Sequence, residues 1–140
     1  MVLFRCESWT LTKTDEGKLS KLERKTLRKI YGQICINGVW IIKFDELFIL
    51  YKESNIVKMI KIARLKWLGH IARMEDNVPC MKITFPQPEG SRKQWRPRLR
   101  WLDSVLTVLK NFEVNAWWKK ARDRDLWSEI IKEVKVHTGL

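Results

Sequence analysis

Apolar residues at Ile56, Met59, Ile60, Ala63, Trp67, Ile71 and Met74 recur at the i, i+3, i+4, i+7 spacing of one buried helix face. They predict a central helix over 55–74, with Asn55 placed to accept a hydrogen bond from a free first-turn N–H. Ile62 and Leu65 interrupt its basic side, so the helix is expected to pack on two sides. Upstream, Leu19, Leu22, Leu27 and Ile30 mark one face of a helix over 15–31. Thr12 and Thr14 are its candidate caps, Asp15 and Glu16 suit its positive end, Arg28 and Lys29 suit its negative end, and Gly32 ends it. Asn37-Gly38 between β-branched and aromatic residues signals a short hairpin near 34–42, and a short amphipathic helix follows at 45–52.

Residues 75–97 hold all four prolines and read as one long loop. Pro97 is placed to open a helix running to about Asn111 with Leu102, Val105, Leu109 and Phe112 on one stripe. Asn115 can cap a short helix carrying Trp117, Trp118 and Ala121. The stripe then changes phase, which predicts a break at 122–125 before a last helix bearing Leu126, Trp127, Ile130, Ile131 and Val134. The fold class is mainly α: a small helical domain of about five helices with one short hairpin. It divides into an N-terminal helical lobe (1–74), a proline-rich basic loop (75–97) and a C-terminal helical lobe (98–140).

Apolar residues make up 45% and charged residues 31%, a globular composition. No apolar run reaches the roughly 18 residues a membrane span needs, so no membrane partner is expected. Cys6, Cys35 and Cys80 are odd in number and widely spaced, which argues against a disulfide framework. The first residues meet a base and an acid too soon for a secretion signal, so an intracellular, nuclear or cytoplasmic, location is expected.

The net charge is +12, and its distribution matters more than its sum. Lys58, Lys61, Arg64, Lys66 and Arg73 stand between Glu53 and Glu75 with no acid among them. Arg92, Lys93, Arg96, Arg98 and Arg100 do the same between Glu89 and Asp103. Setting those ten aside leaves 18 bases against 16 acids, so the excess sits in two places, as in a nucleic-acid footprint. A core helix with a solvated basic flank accounts for the first cluster equally well. In the second, arginines offer bidentate bonds to phosphate, and Trp95 either stacks on an unpaired base or pins the loop to the core. Trp101 reads as core.

Catalytic arrangements are missing from the pattern. The six glycines are scattered, no adjacent carboxylate pair suits a two-metal site, and Asp123 and Asp125 read as helix-start acids. His70 lacks the paired spacing of a zinc site and reads as partly buried on the inner side of its helix, bonded to a backbone carbonyl. No cofactor or metal is expected.

Six motifs in this order carry a resemblance: CESWTLTKTDE (6–16), NGVW with ELFILYKE (37–53), RLKWLGHIARM (64–74), QPEG (87–90), RPRLRWLDSV (96–105) and DRDLWSEIIKEVKVHTGL (123–140). Together they resemble the C-terminal region of endonuclease–reverse transcriptases of non-LTR retrotransposons, of the arthropod type. The resemblance implies a thumb-like, post-palm segment that grips template and primer or element RNA and does no chemistry, the catalytic aspartates and the endonuclease lying upstream. It also implies RNA or DNA as partners, with upstream reverse transcriptase domains or a second copy as others. The chain looks like a 5′-truncated element copy; the rival readings are a structural interaction module and a remnant without a role. It departs from the family at Phe4-Arg5, where Tyr-Gly is usual, and at Trp95, where glycine is usual.

Overall fold

A computed structural model describes residues 3–32, 34–41, 51, 55–85 and 99–136. Among these, a 3-10 turn (Cys6–Ser8) is followed by α1 (Lys13–Tyr31), β1 (Ile34–Ile36), β2 (Val39–Ile41), α2 (Ile56–Ala72), α3 (Pro79–Thr84), α4 (Trp101–Asn111), α5 (Trp117–Arg122) and α6 (Arg124–Val136). The fold is mainly α, as the periodicity predicts. The helix expected at 45–52 lies, but for residue 51, outside the described residues.

The chain packs as two compact units, Thr12–Met59 and Met1–Leu11 with Ile60–Leu140. This differs from the expected lobes of 1–74 and 98–140. The reason is that Ile62, Leu65, Leu68 and Ala72 of α2 share one core with α4, α5 and α6, so most of α2 packs with the C-terminal helices.

In the Thr12–Met59 unit, α1 begins with a reciprocal cap. The Thr12 hydroxyl accepts the Asp15 N–H at 3.2 Å while the Asp15 carboxylate accepts the Thr12 N–H at 3.2 Å. The helix ends where Gly32 takes φ 71, a left-handed value glycine adopts without steric cost. Asn37 and Gly38 both have positive φ, as a two-residue type I′ turn requires, and pair Ile36 with Val39 in the antiparallel register. The first turn of α2 is capped twice: the Asn55 side chain accepts the Lys58 N–H at 2.7 Å, and Glu23 accepts the Ile56 N–H at 2.8 Å. Burial pushes the Glu23 carboxyl above its ordinary range, partly offset by that N–H.

The other unit is built on Leu65, Leu68, Val105, Leu109, Ala121, Trp127 and Val134. Of the expected stripe on α2, Ile60 and Ile71 are buried, and Ile62 and Leu65 are buried as two-sided packing requires, but the stripe's Trp67 is not part of the buried set. Ile60, Leu65, Leu68, Ile71 and Ala72 are fully enclosed, whereas Trp67 is half-buried and His70 is exposed. The buried residues of α2 (Ile60, Ile62, Arg64, Leu65, Leu68, Ile71 and Ala72) spread beyond one narrow stripe, so no single stripe in its sequence marks the buried side. Gly69 lets α6 approach: a Cβ there would overlap the Trp127 indole, whose N–H donates to the Leu65 carbonyl at 3.0 Å.

Two further expectations are corrected. The proline-rich stretch is not all loop, because Pro79 starts the six-residue α3, its fixed φ and missing N–H suiting a first turn. Likewise α4 starts at Trp101, not near Pro97, and α5 is entered through Ala116 in a left-handed conformation, not through an Asn115 side-chain cap. At the other end of α4, Glu113 takes φ 53. The Glu113 and Val114 N–H groups donate back to the Lys110 and Leu109 carbonyls at 3.0 and 3.1 Å, which closes the helix as a Schellman turn. The break between α5 and α6 falls within 122–125, as predicted. Asp123 caps α6 by accepting the Asp125 and Leu126 N–H groups at 2.9 and 3.1 Å.

Before α1, Cys6 and Leu11 are buried, and Arg5 takes φ 53, ψ 30 in the position where the resembling family usually carries glycine. Burial pushes the Cys6 thiol up, with the neighbouring Glu7 charge adding to the effect.

Candidate nucleic-acid interface

The expected phosphate-binding residues of α2 separate into three roles. Arg64 is 2% exposed and therefore unavailable to a surface ligand in this conformation. Its guanidinium donates to the Trp101 carbonyl at 3.2 Å and to the Ser104 hydroxyl, and lies 5.8 Å from the centre of the Trp101 ring. Burial of that charge is offset by these bonds, so Arg64 joins α2 to the first turn of α4. Arg73 is exposed but committed at one nitrogen, donating to the Ala121 carbonyl near the end of α5 at 2.7 Å. Carbonyls at a helix C-terminus attract cations, so this contact is a helix cap. Lys66 is exposed, and Lys58 and Lys61 are partly exposed, on α2.

Of the second cluster, Arg92, Lys93, Trp95, Arg96 and Arg98 lie outside the described residues. Arg100 is described, and it stands in extended backbone at the N-cap of α4.

The residues bounding the 86–98 segment are firmly held. On one side Phe85 meets Trp118 edge-on at 4.6 Å between ring centres and Trp117 at 6.3 Å. Trp117 and Trp118 are themselves perpendicular at 5.5 Å. Such edge-to-face contacts match the positive ring edge of one aromatic to the negative face of the next. On the other side the Trp101 indole N–H donates to the Glu7 carbonyl at 2.7 Å. Phe85, Arg100, Trp101 and Trp67 all line one cleft of about 490 Å³ whose walls include Ile71, Leu102 and Leu106. The tetrapeptides LKWL and LRWL thus bring their two tryptophans to the same cavity, while the leucines are fully buried only in the first, at Leu65 and Leu68.

His70 does not occupy the partly buried inner position expected of it. Its ring is exposed, 5.2 Å from that of Trp67. Among the described residues no three His, Cys, Asp or Glu side chains gather into a metal-sized group. Nor is any described helix long and apolar enough to cross a membrane.

Sequence reasoning missed one feature. Lys21, Arg24, Lys25, Arg28 and Lys29 line a shallow groove along α1, with no other residue type in its wall among the described residues. The signal was present, since no acid occurs between Glu23 and Asp45. It was hidden because Arg28 and Lys29 already had a local explanation at the negative end of their helix. Compared with family models, curated proteins and solved structures, the chain finds no match in any of the three.

Proposed function

We propose that this chain binds nucleic acid through phosphate contacts and has no catalytic activity of its own, in keeping with its resemblance to the C-terminal region of a non-LTR retrotransposon reverse transcriptase. The observation that carries the reading is the cleft. Phe85 and Arg100 both stand in its wall with Trp67 and Trp101, and Arg92, Lys93, Arg96 and Arg98 fall between Phe85 and Arg100 in sequence. A strand bound at Arg100 passes next to aromatic surface. That pairing of cation and ring is what binding of unpaired bases uses, at about 1–3 kcal/mol per stacked base. RNA and DNA both present the required charge.

Filter binding across a salt series tests this. If about five phosphates are contacted, log K falls against log salt with a slope of roughly −4 to −5, and a flat dependence refutes the reading. Arg98→Ala weakens binding similarly on every sequence, whereas Trp95→Ala affects single strands more than duplex.

A second reading, a protein-interaction module docking on other reverse transcriptase domains or on itself, draws support from Ile83 and Val136, each 81% exposed. Light scattering separates the two, because association through apolar surface persists in high salt while phosphate binding does not.

A further inference from the structure

We propose that α1 carries a second phosphate-binding face, formed by Lys21, Arg24, Lys25, Arg28 and Lys29, which grips the backbone of double-stranded nucleic acid. For the identity of the polyanion the inference rests on the function proposed above; for its location it rests on α1 alone. The five positions follow i, i+3, i+4, i+7, i+8, so their side chains share one side of the helix over about 12 Å of its length. Four of the five are exposed, and Arg24, the partly buried one, is steadied by its Nε–H donating to the Ser20 carbonyl at 3.3 Å.

Two described acids of α1 are turned to other tasks. Glu23 accepts the Ile56 N–H, and Asp15 closes the Thr12 cap. Neither lines the groove, whose wall among the described residues is cationic over a space of about 440 Å³.

Geometry selects the partner. Duplex nucleic acid presents one phosphate charge per roughly 1.7 Å of axis, so about 12 Å of helix faces about seven charges, or three to four along one strand. A continuous row of cations a little over two helical turns long matches that density. Among the described residues the wall holds no aromatic ring on which to stack an unpaired base and no apolar side chain to enter a lipid layer. It therefore recognises backbone, and does so without regard to sequence.

The test uses the full chain and a mixed-sequence DNA duplex of about 20 base pairs, followed by fluorescence anisotropy from about 50 to 300 mM salt. The variant is K21A/K25A/K29A, chosen because alanine preserves helix propensity. A control, K110A/K119A/K132A, removes equal charge from exposed positions on three other helices. Circular dichroism verifies that both variants keep the parent's helix content.

The α1 variant is expected to lower the magnitude of the salt slope by about 2.5–3 and the affinity at about 0.1 M salt by more than tenfold, equally on unrelated sequences. The control should shift the slope by less than about 1. An unchanged slope in the α1 variant, with Arg98→Ala still weakening binding, overturns this proposal and leaves the function standing. Absence of salt-dependent duplex binding by the parent overturns both. Equal losses in variant and control overturn the α1 site in favour of net charge. If the parent binds polyglutamate or phosphatidylserine vesicles and duplex DNA does not compete, the partner class is wrong.

Discussion

Replacing Gly69 by alanine is the most demanding single test of the packing. The added methyl would overlap the Trp127 indole at its ring nitrogen and the adjacent carbon, so either the ring or helix α6 must move. Overpacking of this kind costs about 1–3 kcal/mol. Displacing the ring also breaks the bond from its N–H to the Leu65 carbonyl. Trp127 is 2% exposed, so the orphaned donor finds no water and adds about 1–3 kcal/mol. Against this, alanine favours helix over glycine by about 1 kcal/mol. The net expectation is a loss of about 3 kcal/mol, read from urea unfolding followed by far-ultraviolet circular dichroism. In a Trp127→Phe background the smaller ring leaves room, and the same substitution costs at least about 1 kcal/mol less. Stability of Gly69→Ala equal to or above the parent would show that α2 and α6 do not approach as described. Gly17 supplies the contrast. Its Cβ would meet nothing within 4 Å, so Gly17→Ala should gain up to about 1 kcal/mol.

Arg64→Met keeps the volume and removes the buried charge, and is expected to change stability by less than about 1.5 kcal/mol. Arg64→Ala leaves a cavity beside Trp101 and Ser104 and should cost about 2–4 kcal/mol, so equal costs in urea melts would refute the packing role. Arg5→Gly and Glu113→Gly relieve left-handed backbone at non-glycine positions; each should raise stability by about 0.5–1 kcal/mol, checked by shifts of the urea midpoint. Glu23 sets a pH dependence. Its folded carboxyl lies above the ordinary 4.5, chiefly through burial, so the native state binds the proton more tightly than the unfolded chain. Its charge therefore weighs against folding above the raised value, and that penalty disappears as pH falls through it. Glu23→Gln should be the more stable protein at neutral pH, with the gap closing on acidification; a gap that widens instead would reverse the sign of this argument.

Much of the fold was legible because its signals are local. Thr12 with Asp15, Gly32, Asn37-Gly38 and the phase change before Asp123 each act within a few residues, and each is found where the chain predicts it. Helix α2 was misread in part because its environment is set from a distance. A helix buried beyond one narrow stripe shows no single face in its sequence, and nothing near Arg64 in sequence announces Trp101 and Ser104 as its partners. The same limit moved Trp67 from core to cleft wall and His70 to the surface. As for the site, Arg100 lies on the cleft, whereas the rest of its cluster falls outside the described residues. The basic groove of α1 could have been found by the criterion applied to the other two clusters, an interval without acids.

The cleft also bears on how the molecule can be engineered. Phe85 is clasped by two indoles and Trp101 is tied to the Glu7 carbonyl, so the folded unit itself fixes where residues 86–98 depart and return. Doubling the length of chain between two held ends costs only about 0.6 kcal/mol in closure entropy. A reporter peptide or small tag spliced into that interval should leave the melting behaviour of the helices nearly untouched, giving a handle for labelling that leaves both termini free.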